Sequence, residues 1–255
     1  MIEVPVEQGS DAWRMCRVGI PTASQFGRIV TPKELKYSES RHGYMAELLA
    51  NYFVGELTAE DQKAEKEQKF ASEWMDRGKR LEPQALAYYS MIREVEVERA
   101  GFFFRDDSRT SGASPDLVMG PAGDRVGGGE LKCPMAATHL AWLTGGRLPA
   151  EHVAQVQGEL WVTGFPWIDF MSYYPGLPSL LIRVEPHPDF QAALDRCVPH
   201  FIGELFERRK RLIEMGVPDP LAPKANDDRE WFDRTYGTTA QLAASLEAEC
   251  PTTTN

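Results

Sequence analysis

The sequence predicts an α/β fold in which a mixed central β-sheet is flanked by helices. Helical patterns occupy the first part of the chain, and strand patterns dominate between residues 95 and 134. One helix then separates these strands from two further strands and a long final helix. That order is typical of a sheet covered by packed helices. The chain has 255 residues, 42% of them apolar and 10% aromatic, which is enough for one sizeable core.

The first part of the chain is predicted to form four helices. Short helices span about residues 11–16 and 24–30. Between residues 40 and 57, apolar side chains recur at the spacing of one face of an amphipathic helix. A longer helix is predicted over 70–91, after a highly charged segment at 58–69 that we expect to be solvated.

Strands and one crossover helix follow. Strand patterns cover residues 95–97, 101–106, 110–120, 129–134, 167–174 and 180–185. The glycines at 127–129 predict a turn in front of the fourth of these strands. The crossover helix is predicted over 152–164, and the final helix over 188–215 contains Pro199.

A negative net charge argues against a nucleic-acid partner, because non-specific DNA binding depends on Lys and Arg. The chain has 28 Lys and Arg against 38 Asp and Glu, a net charge of −10. Residues 217–255 carry three basic and seven acidic side chains, and residues 56–73 carry three and six. Seven of the ten excess negative charges therefore lie outside the predicted core, and the net charge does not exclude DNA.

The sequence also argues against a membrane protein, a secreted protein and a protein built on cysteine clusters. No apolar run approaches the roughly 18 residues that a membrane helix needs, and the first residues lack the pattern of a signal peptide. We therefore expect a cytoplasmic protein with no membrane partner. The cysteines form no CxxC pair, which opposes a disulfide framework, a zinc site or an iron–sulfur nuclease; they are Cys16, Cys133, Cys197 and Cys250.

Two acidic residues and a lysine are the candidate reactive groups. Asp116 ends a Ser-Pro-Asp sequence, and thirteen residues separate it from Glu130-Leu131-Lys132. Because side chains alternate along a strand, Glu130 and Lys132 share one face while Leu131 points to the other. If the Asp116 segment pairs beside this strand, the two carboxylates converge, and such a pair is costly without a cation between them. Mg²⁺ suits these oxygen ligands. A β-hairpin with a surface salt bridge is the alternative interpretation of the same spacing.

Further blocks of sequence carry a resemblance to a known family. They are EQGSDAW (7–13), VGIPTAS (18–24), WMDRGKRLEPQA (74–85), RTSGASPD (109–116), ELKCP (130–134) and AQVQGELWVTG (154–164). In this order they resemble the PD-(D/E)xK nuclease superfamily and, more narrowly, the phage lambda exonuclease and YqaJ-type viral recombinase family. The resemblance runs from residue 7 to about residue 215 and implies a PD-(D/E)xK, restriction-endonuclease-like core. Leu117 stands where members often have Gly, at a position that does not ligate the metal.

The resemblance implies a metal centre. Asp116, Glu130 and the backbone carbonyl of Leu131 would hold Mg²⁺, for which Mn²⁺ substitutes. Lys132 would activate the nucleophilic water.

Two further residues would complete this centre by the same resemblance. Gln155 would fix the water or the lysine, and Glu82 would act through a second metal or a water. Gln157 cannot share a helix face with Gln155, so only one of the two is expected in the site. The alternatives are a polar residue on an amphipathic helix for Gln155, and a solvated charge in the first turn of a helix for Glu82.

A pocket for a 5′-phosphate is implied at Arg17, Ser24 and Ser114. Arginine offers phosphate a planar two-pronged donor. Ser24 lies at a predicted helix start, where free N–H groups favour an anion. The alternative for Arg17 is an ordinary surface arginine.

The resemblance implies a Mg²⁺-dependent 5′→3′ exonuclease. It would degrade one strand of linear double-stranded DNA to 5′-mononucleotides and leave a 3′ single strand for annealing. A homotrimeric ring and a phage-type single-strand annealing partner are also implied. The single exonuclease domain would occupy residues 1–216, and 217–255 would be an appendage whose last residues are disordered.

Two alternatives remain at this point. One is a related endonuclease or repair nuclease of different polarity; an endonuclease would have no need of a 5′-phosphate pocket. The other is a non-catalytic DNA-binding module, which the set of Asp116, Glu130 and Lys132 argues against.

Overall fold

A computed structural model describes residues 1–55 and 69–221 and has the predicted mixed sheet flanked by helices. Contacts divide the chain into two units, Met1–Gly216 and Val217–Asn255, and only residues 217–221 of the second are described. Two predictions lie outside the described residues. They are the solvated segment at 58–69, of which only Lys69 is described, and the disordered end of the chain. Among the described residues, no helix is long and apolar enough to cross a membrane.

The described residues contain eight strands, which form two sheets. The smaller sheet is antiparallel, in the order β1 (Ile2–Val4), β3 (Phe102–Phe104) and β4 (Gly112–Ala113). The larger sheet has the order β2 (Glu98–Arg99), β5 (Leu117–Met119), β6 (Gly127–Lys132), β7 (Ile168–Ser172) and β8 (Leu180–Val184). Only the β6–β7 pair is parallel in the larger sheet, which is therefore mixed as predicted.

The helices follow the predicted pattern with one addition. They are α1 (Asp11–Arg17), a 3₁₀ helix (Ala23–Arg28), α2 (Arg41–Val54), α3 (Lys69–Arg93), α4 (Ala136–Gly145), α5 (Ala150–Thr163) and α6 (Pro188–Glu214). The connection from β6 to β7 thus contains two helices, where one crossover helix was predicted. Helix α4 escaped prediction because its apolar residues are not confined to one face: Trp142 packs against the core, whereas Leu140 is exposed.

Three predictions about the strands were wrong. Residues 95–97 form no strand, because the paired residues of this segment are Glu98 and Arg99 in β2. Residues 110–120 form two strands in different sheets, interrupted by the segment that contains Pro115 and Asp116. Residues 127–129 form no turn but the first half of β6. A Cβ at Gly127 would lie 2.6 Å from the Trp167 ring, and one at Gly129 would lie 2.8 Å from Cδ1 of Leu117. These glycines therefore make room for neighbouring side chains rather than for a turn.

The larger sheet is covered on both faces. On one face Leu131 packs with residues of α3, among them the buried Ala85 and Tyr89. On the other face Val118 and Phe170 join a cluster formed with α2, α5, α6 and the 3₁₀ helix. Alternation along β6 therefore sends Leu131 towards α3 and its neighbours Glu130 and Lys132 towards α5.

A close approach between α5 and the 3₁₀ helix depends on glycine. A Cβ on Gly158 would lie 2.6 Å from the Phe26 ring and 3.2 Å from Cβ of Ala23. Gly27 faces Ala154 in the same way, at 3.3 Å. This contact holds the predicted phosphate-binding turn at Ser24 against the helix that carries Gln155.

We expect Gly158→Ala to lower the free energy of unfolding by about 1–3 kcal/mol, the usual range for an overpacked core. Phe26 is completely buried, so its ring cannot move aside without displacing the core. Urea denaturation measures the change. The control is Gly203→Ala, because Gly203 lies exposed in α6 with no atom within 4 Å of its Cβ. That substitution should be neutral or stabilising by up to about 1 kcal/mol, and equal effects at both sites would contradict the close approach.

Candidate active site

The open end of the β5–β6 hairpin brings Asp116 beside Glu130. The Asp116 N–H donates to the Gly129 carbonyl at 2.9 Å, and the Leu131 N–H donates to Oδ2 of Asp116 at 2.6 Å. The register pairs Leu117 with Gly129, so the residue before Leu117 lies next to the residue after Gly129. The structure thus brings together the two carboxylates predicted to converge.

Glu130 is almost completely buried, with 2% of its surface exposed. Its Oε1 accepts hydrogen bonds from Nζ of Lys132 and from Nε2 of Gln155, the latter at 2.6 Å. Its Oε2 has no hydrogen-bond partner among the described residues. A buried acceptor without a donor is destabilising, and an oxygen of this kind is suited to a cation.

The charges of the site act strongly on one another. Removal from water and the charge of Glu130 hold the pKa of Asp116 well above its usual range, although Lys132 and the Leu131 N–H oppose this. Burial lowers the pKa of Lys132, but the carboxylates of Glu130 and Asp116 outweigh it and raise that pKa. Lys132 is therefore an ammonium group here, and a cation near the two acids would favour their charged forms.

These residues fit a divalent cation of the Mg²⁺ type. Within the described parts of the chain, no three His, Cys, Asp or Glu side chains gather around one point. The predicted set needs only two carboxylates, with the Leu131 carbonyl and water as further ligands. Mg²⁺ commonly binds through one or two carboxylates and keeps several waters.

Gln155 and Gln157 point in different directions. Nε2 of Gln155 donates to Glu130 at 2.6 Å and to Oε1 of Glu159 at 2.9 Å. Gln157 is buried and donates to the Glu185 carbonyl, while its Oε1 accepts from the His187 N–H. Gln155 therefore contacts the carboxylate site, and Gln157 joins α5 to the start of α6.

Glu159 was missed by the sequence analysis. It is 1% exposed, and its Oε2 has no hydrogen-bond partner among the described residues. Removal from water and the nearby Glu130 carboxylate raise the pKa of Glu159 well above its usual range. One signal in the sequence could have identified Glu159. It lies four residues after Gln155, so the two side chains share one face of the helix.

Glu82 approaches from the other side of the sheet. It lies in the middle of α3, where Pro83 also sits inside the helix, and not in the first turn that the alternative interpretation of Glu82 assumed. Its Oε1 accepts from Nη1 of Arg99 at 2.6 Å. Its charge adds to the rise in the pKa of Asp116, but no direct contact between the two carboxylates is present in the described structure.

Arg17 lines a pocket of about 370 Å³. Its guanidinium lies 4.3 Å from the centre of the Trp13 ring, and Nη2 donates to Oγ1 of Thr22 at 3.3 Å. The lining consists of Trp13, Arg14, Arg17, Ile20, Thr22, Gln25, Tyr44, Leu48 and Asn51. Two arginines and no acidic side chain in this lining make the pocket suitable for an anion.

Ser24 and Ser114 do not line that pocket, but each contacts one residue that does. The exposed Ser24 places its Oγ 3.3 Å from Oγ1 of Thr22. Oγ of Ser114 accepts from Nε1 of Trp13 at 2.8 Å and donates to the Gly101 carbonyl. Of the three residues predicted for phosphate, the structure therefore puts Arg17 in the pocket and the two serines beside it.

The N-terminal segment supports the loop that carries Asp116. Nε2 of Gln8 donates to the Pro115 carbonyl at 2.7 Å and to the Ala100 carbonyl at 3.2 Å. Together with the Trp13–Ser114 hydrogen bond, this fixes the two residues that precede Asp116. Gln8 had no predicted role, although it lies in the EQGSDAW block.

The comparisons with known proteins agree with this architecture. The sequence profile of the YqaJ-like viral recombinase domain matches residues 12–166. No curated protein matches the chain.

Solved structures provide closer detail. An alkaline exonuclease (LHK-Exo) from Laribacter hongkongensis, and the same protein in complex with dAMP, are each 29% identical with a TM-score of 0.67, over 81% of this chain and 97% of theirs. A phage-related exonuclease from Haemophilus somnus 129PT is 13% identical with a TM-score of 0.52, over 77% of this chain and 96% of that one. That last likeness is one of fold alone. The fold class predicted from the sequence is thereby confirmed.

We expect Gln8→Ala to lower the free energy of unfolding by about 1–2 kcal/mol, because two backbone carbonyls lose their side-chain donor. Urea denaturation monitored by tryptophan fluorescence measures it. The matched control is Gln84→Ala on the exposed face of α3, which should stay within about 0.5 kcal/mol of the parent. A Gln8 variant as stable as its control would show that the N-terminal segment does not secure the Asp116 loop.

Proposed function

The chain belongs to the YqaJ-like viral recombinase domain family, and from that premise we propose that it is a Mg²⁺-dependent 5′→3′ exonuclease. It would degrade one strand of linear double-stranded DNA to 5′-mononucleotides and leave a 3′ overhang. The observation that carries the proposal is the pair formed by the half-buried Asp116 and the buried Glu130 beside Lys132, with no hydrogen-bond partner for Oε2 of Glu130 among the described residues. The similarity to an alkaline exonuclease supports it, and that relative's complex with dAMP supports a deoxynucleotide product.

The side chains divide the work of phosphodiester hydrolysis. Asp116, Glu130 and the Leu131 carbonyl would hold Mg²⁺, which when bound supplies Lewis-acid stabilisation of the phosphate charge. The Lys132 ammonium would orient the attacking water and offset the negative charge that grows on the phosphate. Gln155 would keep Oε1 of Glu130 occupied, so that Oε2 is directed to the cation.

The pocket at Arg17 would give the enzyme its direction. Arg17 would bind a terminal 5′-phosphate through its guanidinium, with Ser24 and Ser114 at the margin. Ser114 is two residues from Asp116, which limits the separation of their Cα atoms to about 7 Å. A strand anchored by its 5′-phosphate near Arg17 would thus have its first phosphodiester bond near the carboxylates.

The proposed assembly and partners follow from the family resemblance. A homotrimeric ring would enclose the duplex and keep the enzyme on it, and a single-strand annealing protein would bind the exposed 3′ strand. The proposed exonuclease domain is residues 1–216, with 217–255 as an appendage, in a cytoplasmic protein.

We expect the protein to degrade linear duplex DNA in Mg²⁺ and to stop in EDTA. Asp116→Asn should lower the rate at least about 100-fold, in the range seen when a group that stabilises transition-state charge is removed. Release of acid-soluble nucleotides from end-labelled duplexes measures both, and the position of the label reports polarity.

Asp124→Asn is the control, because the exposed Asp124 lies at the turn end of the hairpin, away from the site. It should retain full activity. Cleavage of closed circular DNA would instead favour an endonuclease, and absence of any Mg²⁺-dependent degradation would favour a non-catalytic DNA-binding module.

Arg17→Ala should abolish the preference for 5′-phosphorylated over 5′-hydroxyl ends. Arg17→Lys should keep part of it, because the charge remains and the two-pronged donor is lost. Initial rates on the two substrates measure the ratio. Arg196→Ala removes the same charge from the exposed surface of α6 and should leave the ratio unchanged. An unaltered preference in Arg17→Ala would remove Arg17 from the 5′-phosphate site.

A further inference from the structure

Glu159 is a buried carboxylate that the proposed reaction does not use. It lies in α5 with 1% of its surface exposed, and no ion pair to it is found in the described structure. Burying a carboxylate without a cationic partner is unfavourable. Its Oε1 accepts from Nε2 of Gln155 at 2.9 Å, and its carboxyl group also lies within hydrogen-bonding range of the Glu130 carboxylate, which gives the side chain a definite place next to the carboxylate site.

The amide of Gln155 is held by two acceptors. Both hydrogens of its Nε2 are used, one for Oε1 of Glu130 at 2.6 Å and one for Oε1 of Glu159 at 2.9 Å. An amide turned by 180° would present Oε1 to both carboxylates and lose both bonds. Two acceptors that demand the same end of the amide therefore fix its orientation more firmly than either alone.

The orientation of the Gln155 amide affects the proposed cation position because Gln155 binds Glu130. Gln155 and Lys132 both bind Oε1 of Glu130, which leaves Oε2 without a hydrogen-bond partner among the described residues. We infer that Glu159 is a positioning residue, which orients the Gln155 amide so that Glu130 presents Oε2 to the metal ion. The inference rests on the proposed function for the identity of that ion as Mg²⁺.

The effect of the Glu159–Gln155 hydrogen bond and the effect of the Glu159 charge can be separated with two conservative variants. Glu159→Asp keeps the charge but withdraws the carboxylate from Gln155 by one methylene. Glu159→Gln loses the charge but keeps an oxygen that accepts from Gln155. If Glu159 acts through the hydrogen bond, the Asp variant is impaired and the Gln variant is not.

The experiment is isothermal titration of Mg²⁺ into the full chain, with exonuclease kinetics on the same preparations. We expect Glu159→Asp and Glu159→Ala to raise the Mg²⁺ dissociation constant about 10-fold, the usual effect of losing a partner of a metal ligand. Glu159→Gln should stay within about threefold of the parent. The turnover number should fall in step with Mg²⁺ affinity, with KM for DNA unchanged. Glu151→Gln, an exposed carboxylate in the first turn of the same helix, should alter neither.

Combination with Gln155→Ala completes the test, because a residue that acts through another has no further effect once that residue is gone. Adding Glu159→Ala to Gln155→Ala should change the dissociation constant by less than about twofold. Additive losses, or a Gln variant weaker than the Asp variant, would overturn the inference in favour of a charge effect or direct ligation. Thermal unfolding identifies any variant that fails to fold, and the Asp and Gln variants then decide the question without Glu159→Ala.

The two proposals fail in different ways. If the parent binds Mg²⁺ but does not degrade DNA, the proposed function is wrong and the dissociation constants still test Glu159. If the parent binds no Mg²⁺, the positioning role is overturned as well.

Discussion

The pairing of β5 with β6 is the constraint on which the site depends. Leu117 lies opposite Gly129, and the adjacent Asp116 is hydrogen-bonded to both neighbours of Glu130 through its main chain and its carboxylate. A slip of one residue would send Glu130 to the α3 face and Leu131 towards α5. The glycines of β6 protect this register, because Leu117 and Trp167 occupy the spaces where their side chains would be.

Each face of the sheet supports the two carboxylates differently. On the α5 side, the half-buried Gln155 donates to the buried carboxylates of Glu130 and Glu159, and among the described residues Lys132 is the cation paired with Glu130. On the α3 side the support is apolar, because Leu131 of β6 packs against residues of α3. The polar side therefore concentrates like charge in a buried place, which lowers stability unless a cation is bound there. Such a site exchanges stability for function.

Features that arise within one helix or strand could be predicted from the sequence, whereas features that depend on contacts between distant segments could not. Local patterns located α1, α2, α3, α5 and α6 and the alternation that separates Glu130 from Leu131, because these follow from spacing along a single element. The glycines of β6 were misassigned, because the side chains that require them belong to Leu117 on β5 and to Trp167, just before β7. Family resemblance supplied the candidates Arg17, Ser24 and Ser114, and only the three-dimensional arrangement showed that the serines stand outside the Arg17 pocket. Gln8 and Glu159 were missed because neither carries a role in the motifs.

The hydrogen bonds of the N-terminal segment have a consequence for the order of folding. Gln8 can form its hydrogen bond only after Pro115 has been synthesised, 107 positions later. Glu3 can bind Arg125 only after a further 122 positions beyond Glu3 itself. At a synthesis rate of about 5–20 residues per second, the first of these delays is roughly 5–20 s on the ribosome. Contacts of this range make folding slow. The beginning of the nascent chain therefore stays without its final partners until the hairpin has emerged, and the site closes only after α5 has followed it.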